Sequence, residues 1–293
     1  MRNVEKITIL FILFSFFSCK DNEFKKKPKT IEKTANISKA LTDEEIKEKQ
    51  EAEWLAYDLK KTSDSLKLEI ILKEALKISL NNLQYKKFDT IYEMQTDDGS
   101  QSDDLYNVNV SIAFGKIFSK KINHLIIRRK SRNGVQINIY KATKNEFEQT
   151  MYRNQDGMTY LNDTIKDVNG DGKKDFLVHW YPSSGCCRRN VYNVYLQNEQ
   201  GKFSKDYEFI NPTFYPKEKI IRGVKYGYGA DLYKYKWNNL TVDTIEFIKK
   251  DESNPNKFYI TKKWDYNNPP IVKYRIIKKM PKEYENIDDI DSY

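Results

Sequence analysis

Carboxylate and amide side chains recur at every second position of one short segment near the middle of the chain. Positions 1, 3 and 5 of this segment are Asp167, Asn169 and Asp171, and the carbonyl of Lys173 and the carboxylate of Asp175 fall at positions 7 and 9. Loops that bind Ca²⁺ use ligands of these types at this spacing. Hard oxygen ligands without a nearby Cys or His favour Ca²⁺ over Zn²⁺. The segment therefore predicts a calcium site.

The same segment differs from an EF-hand. Gly172 at position 6 supplies the positive φ that a tight loop needs, but position 12 is Val178 instead of Glu, and residues 176–181 form an apolar, strand-like run. A surface turn without an ion is the alternative, because Asp, Asn and Gly are common in turns. Calcium is favoured because three carboxylates within nine residues would repel one another without a cation.

No motif of a common catalytic class occurs in the sequence. It contains no nucleophile elbow, P-loop, dinucleotide fingerprint or zinc-protease helix, and His124 and His179 each stand alone. A glycosidase-like pair of carboxylates stays an alternative, because the two members of such a pair come together in the folded structure and have no fixed spacing in the sequence. The net charge is +9, but the basic residues are interleaved with 42 acidic residues along the chain, which indicates a solvated basic surface. We expect a protein that is not an enzyme and has no nucleic-acid partner.

Residues 42–87 are predicted to be helical. Thr42 and Glu45 fit a capping box, in which each side chain accepts a hydrogen bond from an otherwise unpaired main-chain N–H. That helix is expected to end near residue 60, and a second helix to begin at residues 63–65. Leucines then recur every three or four residues up to Leu83, which is typical of an amphipathic helix that packs on its own domain; docking on a partner is the alternative.

Residues 88–280 change to an alternation of apolar and polar residues that is typical of half-buried strands. The chain is also rich in Tyr and Phe, which favour strands. We predict a mainly β fold, an antiparallel meander of propeller-like or sandwich form with an N-terminal helical segment. An acidic C-terminal tail is expected over 281–293. The predicted strands are 105–114, 125–127, 135–140, 147–152, 175–181, 191–197, 219–222, 232–237, 240–248, 257–264 and 271–278.

The first 18 residues are predicted to be a signal peptide. Two basic residues precede the apolar run 7–17, which is too short to span a bilayer. The run ends in F-F-S-C, which resembles the bacterial lipobox and implies a lipid on Cys19, followed by a flexible tether up to residue 41. Residues 19–23 look like the surface-export signal of Bacteroidota lipoproteins. We expect an outer-membrane lipoprotein that faces the cell surface or, as the alternative, the periplasm.

A family resemblance begins at the calcium segment. Integrin-type FG-GAP and VCBS blades carry a calcium loop that resembles D-V-N-G-D-G-K-K-D-F-L-V. The wider block 161–250 is similar to bacterial envelope proteins related to the periplasmic inhibitor of invertebrate-type lysozyme. Its further motifs are V-Y-N-V-Y-L, G-K-F, I-N-P-T-F-Y-P-K-E-K-I-I and L-Y-K-Y-K-W. The resemblance implies a compact β-rich protein with one calcium loop, in a family of which some members are immunity proteins against peptidoglycan-cleaving effectors.

Two adjacent cysteines, Cys186 and Cys187, remain once Cys19 is assigned to the lipid. Exported proteins meet oxidising conditions, which favour a disulfide between them. Such a bridge would be strained, because adjacent Cα atoms lie only about 3.8 Å apart. Two reduced thiols or an intermolecular bridge are the alternatives.

Candidate partner contacts lie on either side of these cysteines. The side-chain types that dominate binding hot spots occur at Trp180, Tyr181, Arg188 and Arg189. Membership of the core is the alternative for Trp180. Tyr226 and Tyr228, which are spaced by glycines, form a second candidate, with core packing as its alternative.

These features together predict an exported, calcium-binding lipoprotein with a protein partner and a lipid anchor as its only membrane contact. The first hypothesis is an inhibitor or immunity-type protein against a peptidoglycan hydrolase. The alternative is a cell-surface adhesion or complex-forming lipoprotein with an integrin-like calcium loop, and a carbohydrate-active enzyme is a minor third. In each case calcium is expected to be structural.

Overall fold

One long helix precedes three antiparallel β-sheets in the computed structural model of the chain. Each sheet is a meander, in which every strand pairs with the strand next to it in sequence. This architecture confirms the predicted mainly β fold with an N-terminal helix. The structure describes residues 42–95, 107–131, 134–144, 146–182, 189–225, 231–251, 253–254, 256–262, 274–284 and 287.

The strands fall into sheets in chain order. Sheet I contains β1 (Phe88–Gln95), β2 (Asn107–Gly115), β3 (His124–Lys130), β4 (Gly134–Ala142) and β5 (Phe147–Asp156). Sheet II contains β6 (Met158–Lys166), β7 (Asp175–Pro182), β8 (Val191–Tyr195) and β9 (Tyr207–Ile210). Sheet III contains β10 (Pro212–Tyr215), β11 (Ile220–Val224), β12 (Leu232–Asn238), β13 (Thr241–Lys250), β14 (Phe258–Thr261) and β15 (Arg275–Ile277).

The sequence prediction missed four of the strands in the described part of the chain, β1, β6, β9 and β10. β9 and β10 have only four residues each, which is too short for an alternation to be recognised. β1 and β6 are longer, but apolar and polar residues do not alternate strictly in either. The other strands correspond to predicted ones, with shifted ends.

α1 (Asp43–Asn81) is one continuous helix, which corrects the prediction of two. The capping box is confirmed, because the N–H of Glu45 donates to Thr42 Oγ1 at 3.3 Å and the N–H of Thr42 donates to Glu45 Oε2 at 2.7 Å. The polar residues 63–65, predicted to start a second helix, lie within α1. The chain divides into two compact units, Met1–Glu53 and Trp54–Tyr293, and all three sheets belong to the second.

Sheet II lies between sheets I and III in the second unit. Phe176 and Val178 of β7 pack in a core with Ile137 of sheet I, whereas Leu177 packs in another core with Trp237 of sheet III. Successive side chains of a strand point to opposite faces, so a strand that is apolar on both faces serves two cores. This explains why residues 176–181 show a continuous apolar run.

α1 covers the other face of sheet I through its C-terminal half. Ile71, Leu72 and Ala75 are buried in one core with Leu125 and Ile127 of β3. The predicted packing of this amphipathic segment on its own domain is therefore confirmed. Within the described residues, no helix combines the length and the apolar character that crossing a membrane requires.

The described part of the predicted C-terminal tail packs on sheet III instead. The short 3₁₀ helix η1 (Lys282–Tyr284) places Tyr284 in a core with Leu232 and Ile248, and the side chain of Tyr284 is fully buried. Its hydroxyl donates to Glu246 Oε1 at 2.9 Å. The prediction of a tail from residue 281 is corrected for these residues, because an aromatic side chain there completes a core.

Candidate functional site

The predicted calcium segment forms the turn between β6 and β7. Gly170 and Gly172 have φ values of 71° and 82°, which favour glycine. A Cβ atom on Gly170 would also lie 2.1 Å from the carbonyl oxygen of Pro216, so this position excludes a side chain. The turn is therefore held in a shape that other residues would strain.

Side-chain oxygens of the segment accept hydrogen bonds from its own main chain. Asp167 Oδ1 accepts from the N–H of Gly170 at 2.7 Å, and Oδ2 accepts from the N–H of Gly172 at 2.8 Å. Asn169 Oδ1 accepts from the N–H of Asp171 at 3.2 Å. Such bonds are typical of Asx-turns, so they fold the segment whether or not an ion is bound.

Asp175 closes the base of this turn. Its side chain is fully buried, Oδ2 accepts from the N–H of Val168 at 3.0 Å, and Oδ1 accepts from the N–H of Gln197 at 3.0 Å. Burial raises the pKa of Asp175 to about 7 against the effect of these two hydrogen bonds, and the charges of Asp171 and Asp167 add to the rise. The three carboxylates therefore interact electrostatically, and a cation bound among them would relieve their repulsion.

The ligand set predicted for calcium is of mixed composition. Among the residues that the structure describes, no group of three or more His, Cys, Asp and Glu side chains is placed to hold a metal ion. The predicted set also uses the amide oxygen of Asn169 and the main-chain carbonyl of Lys173, which are ordinary Ca²⁺ ligands. Calcium binding stays a prediction.

Two residues that were not predicted to take part connect the turn to its neighbours. Gln197, just after β8, donates its N–H to Asp175, and the carbonyl of Asn239 in sheet III accepts from Asn169 Nδ2 at 3.3 Å. Gln197 lies beside the turn at 198–201 and Asn239 lies in the turn between β12 and β13, but no sequence signal indicates which distant segment a turn will contact. The candidate site thus joins two sheets.

A groove of about 340 Å³ opens beside the turn, between sheets I and II. Its lining is rich in lysine, with a single carboxylate. Lys174 Nζ donates to the carbonyl of Ile117 at 3.3 Å across this groove, and Lys173 Nζ donates to Asp171 Oδ2 at 3.2 Å. The charged residues that line it are Lys116, Lys120, Lys173, Lys174 and Glu199.

The structure corrects one of the predicted partner contacts. Trp180 is fully buried between sheets I and II, because it shares the face of β7 that carries Phe176 and Val178. Tyr181 points to the other side and is 38% exposed, and Arg189 is half-buried just before β8. Outside the described residues lie Cys19, Cys186, Cys187, Arg188, Tyr226 and Tyr228.

The two exposed or half-buried contact candidates of the described residues, Tyr181 and Arg189, share one end of sheet II. β7 runs from the calcium segment at Asp175 towards Tyr181, and Trp180 pairs with Val191 at the start of β8, so Arg189 lies at the same end. Gly223 pairs with Pro212 there, and the connection from β11 to β12, residues 225–231, starts and ends at this end. Segments far apart in sequence are thus brought together, opposite the calcium segment.

Both histidines lie in strands, as predicted, and neither is solvated as a free base would be. His124 is fully buried, with Nε2 3.3 Å from the carbonyl oxygen of Gly201, and burial lowers its pKa. His179 stacks on Tyr192 at a ring separation of 4.2 Å, and its Nε2 lies 2.9 Å from Asn190 Oδ1. Their contacts are those of packed structural residues.

Comparison with protein-family models, curated proteins and solved structures finds no match to this chain. The structural class of the protein therefore follows from the fold and the candidate site alone. It is a layered antiparallel β protein with a polar Asp/Asn/Gly turn at one end of its middle sheet and Tyr181 and Arg189 at the other end.

Proposed function

We propose that this chain is an exported, lipid-anchored protein that acts by binding another protein and not by catalysis. The observation that carries the proposal is the placement of Tyr181 and Arg189 at the same end of sheet II. Aromatic and Arg side chains supply most of the energy in protein interfaces, and a site on rigid strands loses little entropy on binding.

Calcium has a structural role in this proposal. The turn is tied to the start of β7 and to the end of β8 through Asp175, and to sheet III through Asn169. An ion held by the turn would fix all three segments at once. It would therefore stabilise sheets II and III around the end of sheet II that carries Tyr181 and Arg189, which we call the contact end. The ion itself would not touch the partner.

The partner that we propose is a peptidoglycan hydrolase. The lipobox-like N-terminus and the resemblance to inhibitors of lysozyme both support it. The chemistry is also complementary, because glycosidase clefts contain a pair of carboxylates and the contact end carries Arg189. An arginine inserted into such a cleft would pair with those carboxylates and exclude the substrate.

Inhibition assays test this proposal. The purified exported chain is expected to inhibit at least one of the chicken-type, goose-type and invertebrate-type lysozymes, and the combined change Tyr181→Ala and Arg189→Ala should weaken inhibition at least tenfold. Tyr152→Ala is the matched control, since this tyrosine is 47% exposed but lies on sheet I. No inhibition of any enzyme in the panel would count against a hydrolase partner.

A cell-surface adhesion or complex-forming lipoprotein is the second candidate function. It is favoured by an apolar stripe on α1, whose members are spaced so that they share one helix face and are each 62–64% exposed. Protease treatment of intact cells tests this version, because a surface protein would be cleaved and complete protection would contradict it. The stripe consists of Leu55, Leu59, Leu66 and Ile70.

A further inference from the structure

A second groove, of about 460 Å³, lies between α1 and one end of sheet I. This volume is within the range of small-molecule sites in proteins. One wall is helical and the floor is formed by the sheet. The helical wall includes Tyr57, Lys61 and Leu68, and the floor includes Arg129, Gln136 and Asn154.

Strand register places the polar residues of the floor in one row. Arg129 of β3 pairs with Gln136 of β4, which in turn pairs with Asn154 of β5. Leu125 and Ile127 of β3 belong to the core under α1, and Arg129, two residues further along, projects to the same face. The apolar floor beneath the helix thus becomes polar where the groove opens.

The cation in this row donates its hydrogen bonds to neutral acceptors. Arg129 is 1% exposed, and it donates to the main-chain carbonyl of Leu68 and, at 2.8 Å, to Asn138 Oδ1. No carboxylate of the described residues forms an ion pair with it, its Nε has no hydrogen-bond partner among them, and burial lowers its pKa. A buried charge in such surroundings is normally paired.

A buried acceptor next to Arg129 is also unsatisfied. Gln136 is 9% exposed, and its Oε1 has no hydrogen-bond partner in the described structure. Buried polar atoms are rarely left unpaired in folded proteins, so an unpaired donor and an unpaired acceptor in adjacent positions of one groove could both be satisfied by a single ligand. The ligand would have to supply both an acceptor and a donor.

We infer that this groove binds a small monocarboxylate that also carries an O–H or N–H donor. The carboxylate accepts from Arg129 Nε, and the donor is bound by Gln136 Oε1. Three basic and two acidic side chains line the groove, and this balance favours a ligand with one negative charge. Acidic sugars and the C-termini of short peptides share this chemistry. The charged lining residues are Lys60, Lys61, Arg129, Asp64 and Asp156.

This inference is independent of the proposed partner, because the groove uses neither the calcium turn nor the contact end. Isothermal titration of the purified full-length chain with D-glucuronate and with N-acetyl-L-alanyl-L-alanine tests it and separates the two sources. Glucose and N-acetyl-L-alanyl-L-alanine amide are the controls, since each lacks the carboxylate. We expect saturable binding of one carboxylate and none of its control. Binding of neither carboxylate would overturn the inference.

Two substitutions locate the site. Gln136→Glu places a carboxylate opposite Arg129, so it should raise the melting temperature while weakening carboxylate binding at least tenfold. Arg129→Gln should abolish binding. Lys130→Gln is the matched control, because this exposed cation is the next residue of β3 and does not line the groove, and it should bind as the original chain does. Undiminished binding by the Gln136→Glu chain would overturn the assignment even if Arg129→Gln failed to fold.

Discussion

The two faces of sheet I place adjacent arginines, half-buried Arg128 and buried Arg129, in opposite electrostatic surroundings. On the face towards sheet II, Arg128 Nε donates to Asp163 Oδ2 at 2.5 Å and Nη2 donates to Oδ1 at 2.6 Å. The hydroxyl of Tyr160 donates to the same carboxylate at 2.5 Å. On the face towards α1, Arg129 has only neutral acceptors, such as Asn138 Oδ1.

The pKa values of the two guanidinium groups differ accordingly. Burial acts to lower the pKa of Arg128, but the hydrogen bonds and charge of Asp163 outweigh it and raise the pKa. Burial lowers the pKa of Arg129, and the more distant charge of Glu69 only opposes this in part. One arginine therefore joins two sheets, whereas its neighbour is available to recognise an anion. Residue type alone does not distinguish the two roles.

Removal of the paired arginine should have the largest effect. Arg128→Met leaves Asp163, whose side chain is 8% exposed, without its cation, and we expect the free energy of unfolding to fall by about 3 kcal/mol. Urea unfolding followed by tryptophan fluorescence measures it. Lys202→Met is the control, because its partner Glu148 is solvent-exposed, and this variant should unfold close to the original chain. Equal losses in both variants would refute the structural role of Arg128.

Calcium should give the next largest effect, because the turn holds three carboxylates and, among the described residues, only Asp171 forms an ion pair there, with Lys173. At a free calcium concentration 100 times the Kd, the gain in unfolding free energy is about 2.7 kcal/mol. We expect thermal melts to show this gain with calcium and not with chelator. Asp171→Ala should remove it, whereas Asp89→Ala, an exposed acid on β1, should keep it. A gain that survives Asp171→Ala would show that the ion binds elsewhere.

A third basic side chain, that of His124, is buried, and we expect it to make the unfolding free energy depend on pH to a smaller extent. The folded chain holds His124 neutral, because burial lowers its pKa below the ordinary value near 6.5. As the pH falls below 6.5, the unfolded chain binds a proton that the folded chain does not, so stability decreases, by at most about 2 kcal/mol down to pH 5. His124→Gln should flatten this part of the stability curve. If the unfolding free energy of the variant falls as steeply below pH 6.5 as that of the original chain, other groups cause the pH dependence.

The unpaired arginine should give the smallest effect. Arg129→Met removes a buried charge that has no ion pair, so the unfolding free energy should change by no more than about 1 kcal/mol in either direction. The measurement is the same urea titration as for Arg128→Met. A loss as large as that of Arg128→Met would mean that Arg129 is mainly structural, and the contrast between the two faces would disappear.

Local patterns account for much of what could be predicted. Residues 135–140 alternate and form part of β4, and the capping box at Thr42 starts α1 where expected. The second helix start at residues 63–65 was wrong, because Ser and Asp fit a helix interior as well as a cap when the flanking turns favour the helix. The Thr62 hydroxyl, for instance, donates to the carbonyl of Asp58 at 2.9 Å within α1.

For the candidate sites, too, some features could be predicted from the sequence and others could not. The sequence by itself determined the strand and helix types and the tight Asp/Asn/Gly turn at 167–175, since these depend on neighbours within a few residues. Only the tertiary structure decided that Trp180 is core, that Asn239 supports the turn, and that Arg128 has a counter-ion while Arg129 has none. Each of these depends on which sheet covers which face. An alternation of apolar and polar residues predicts which side chains share a face of a strand, but it does not predict which other element packs on that face.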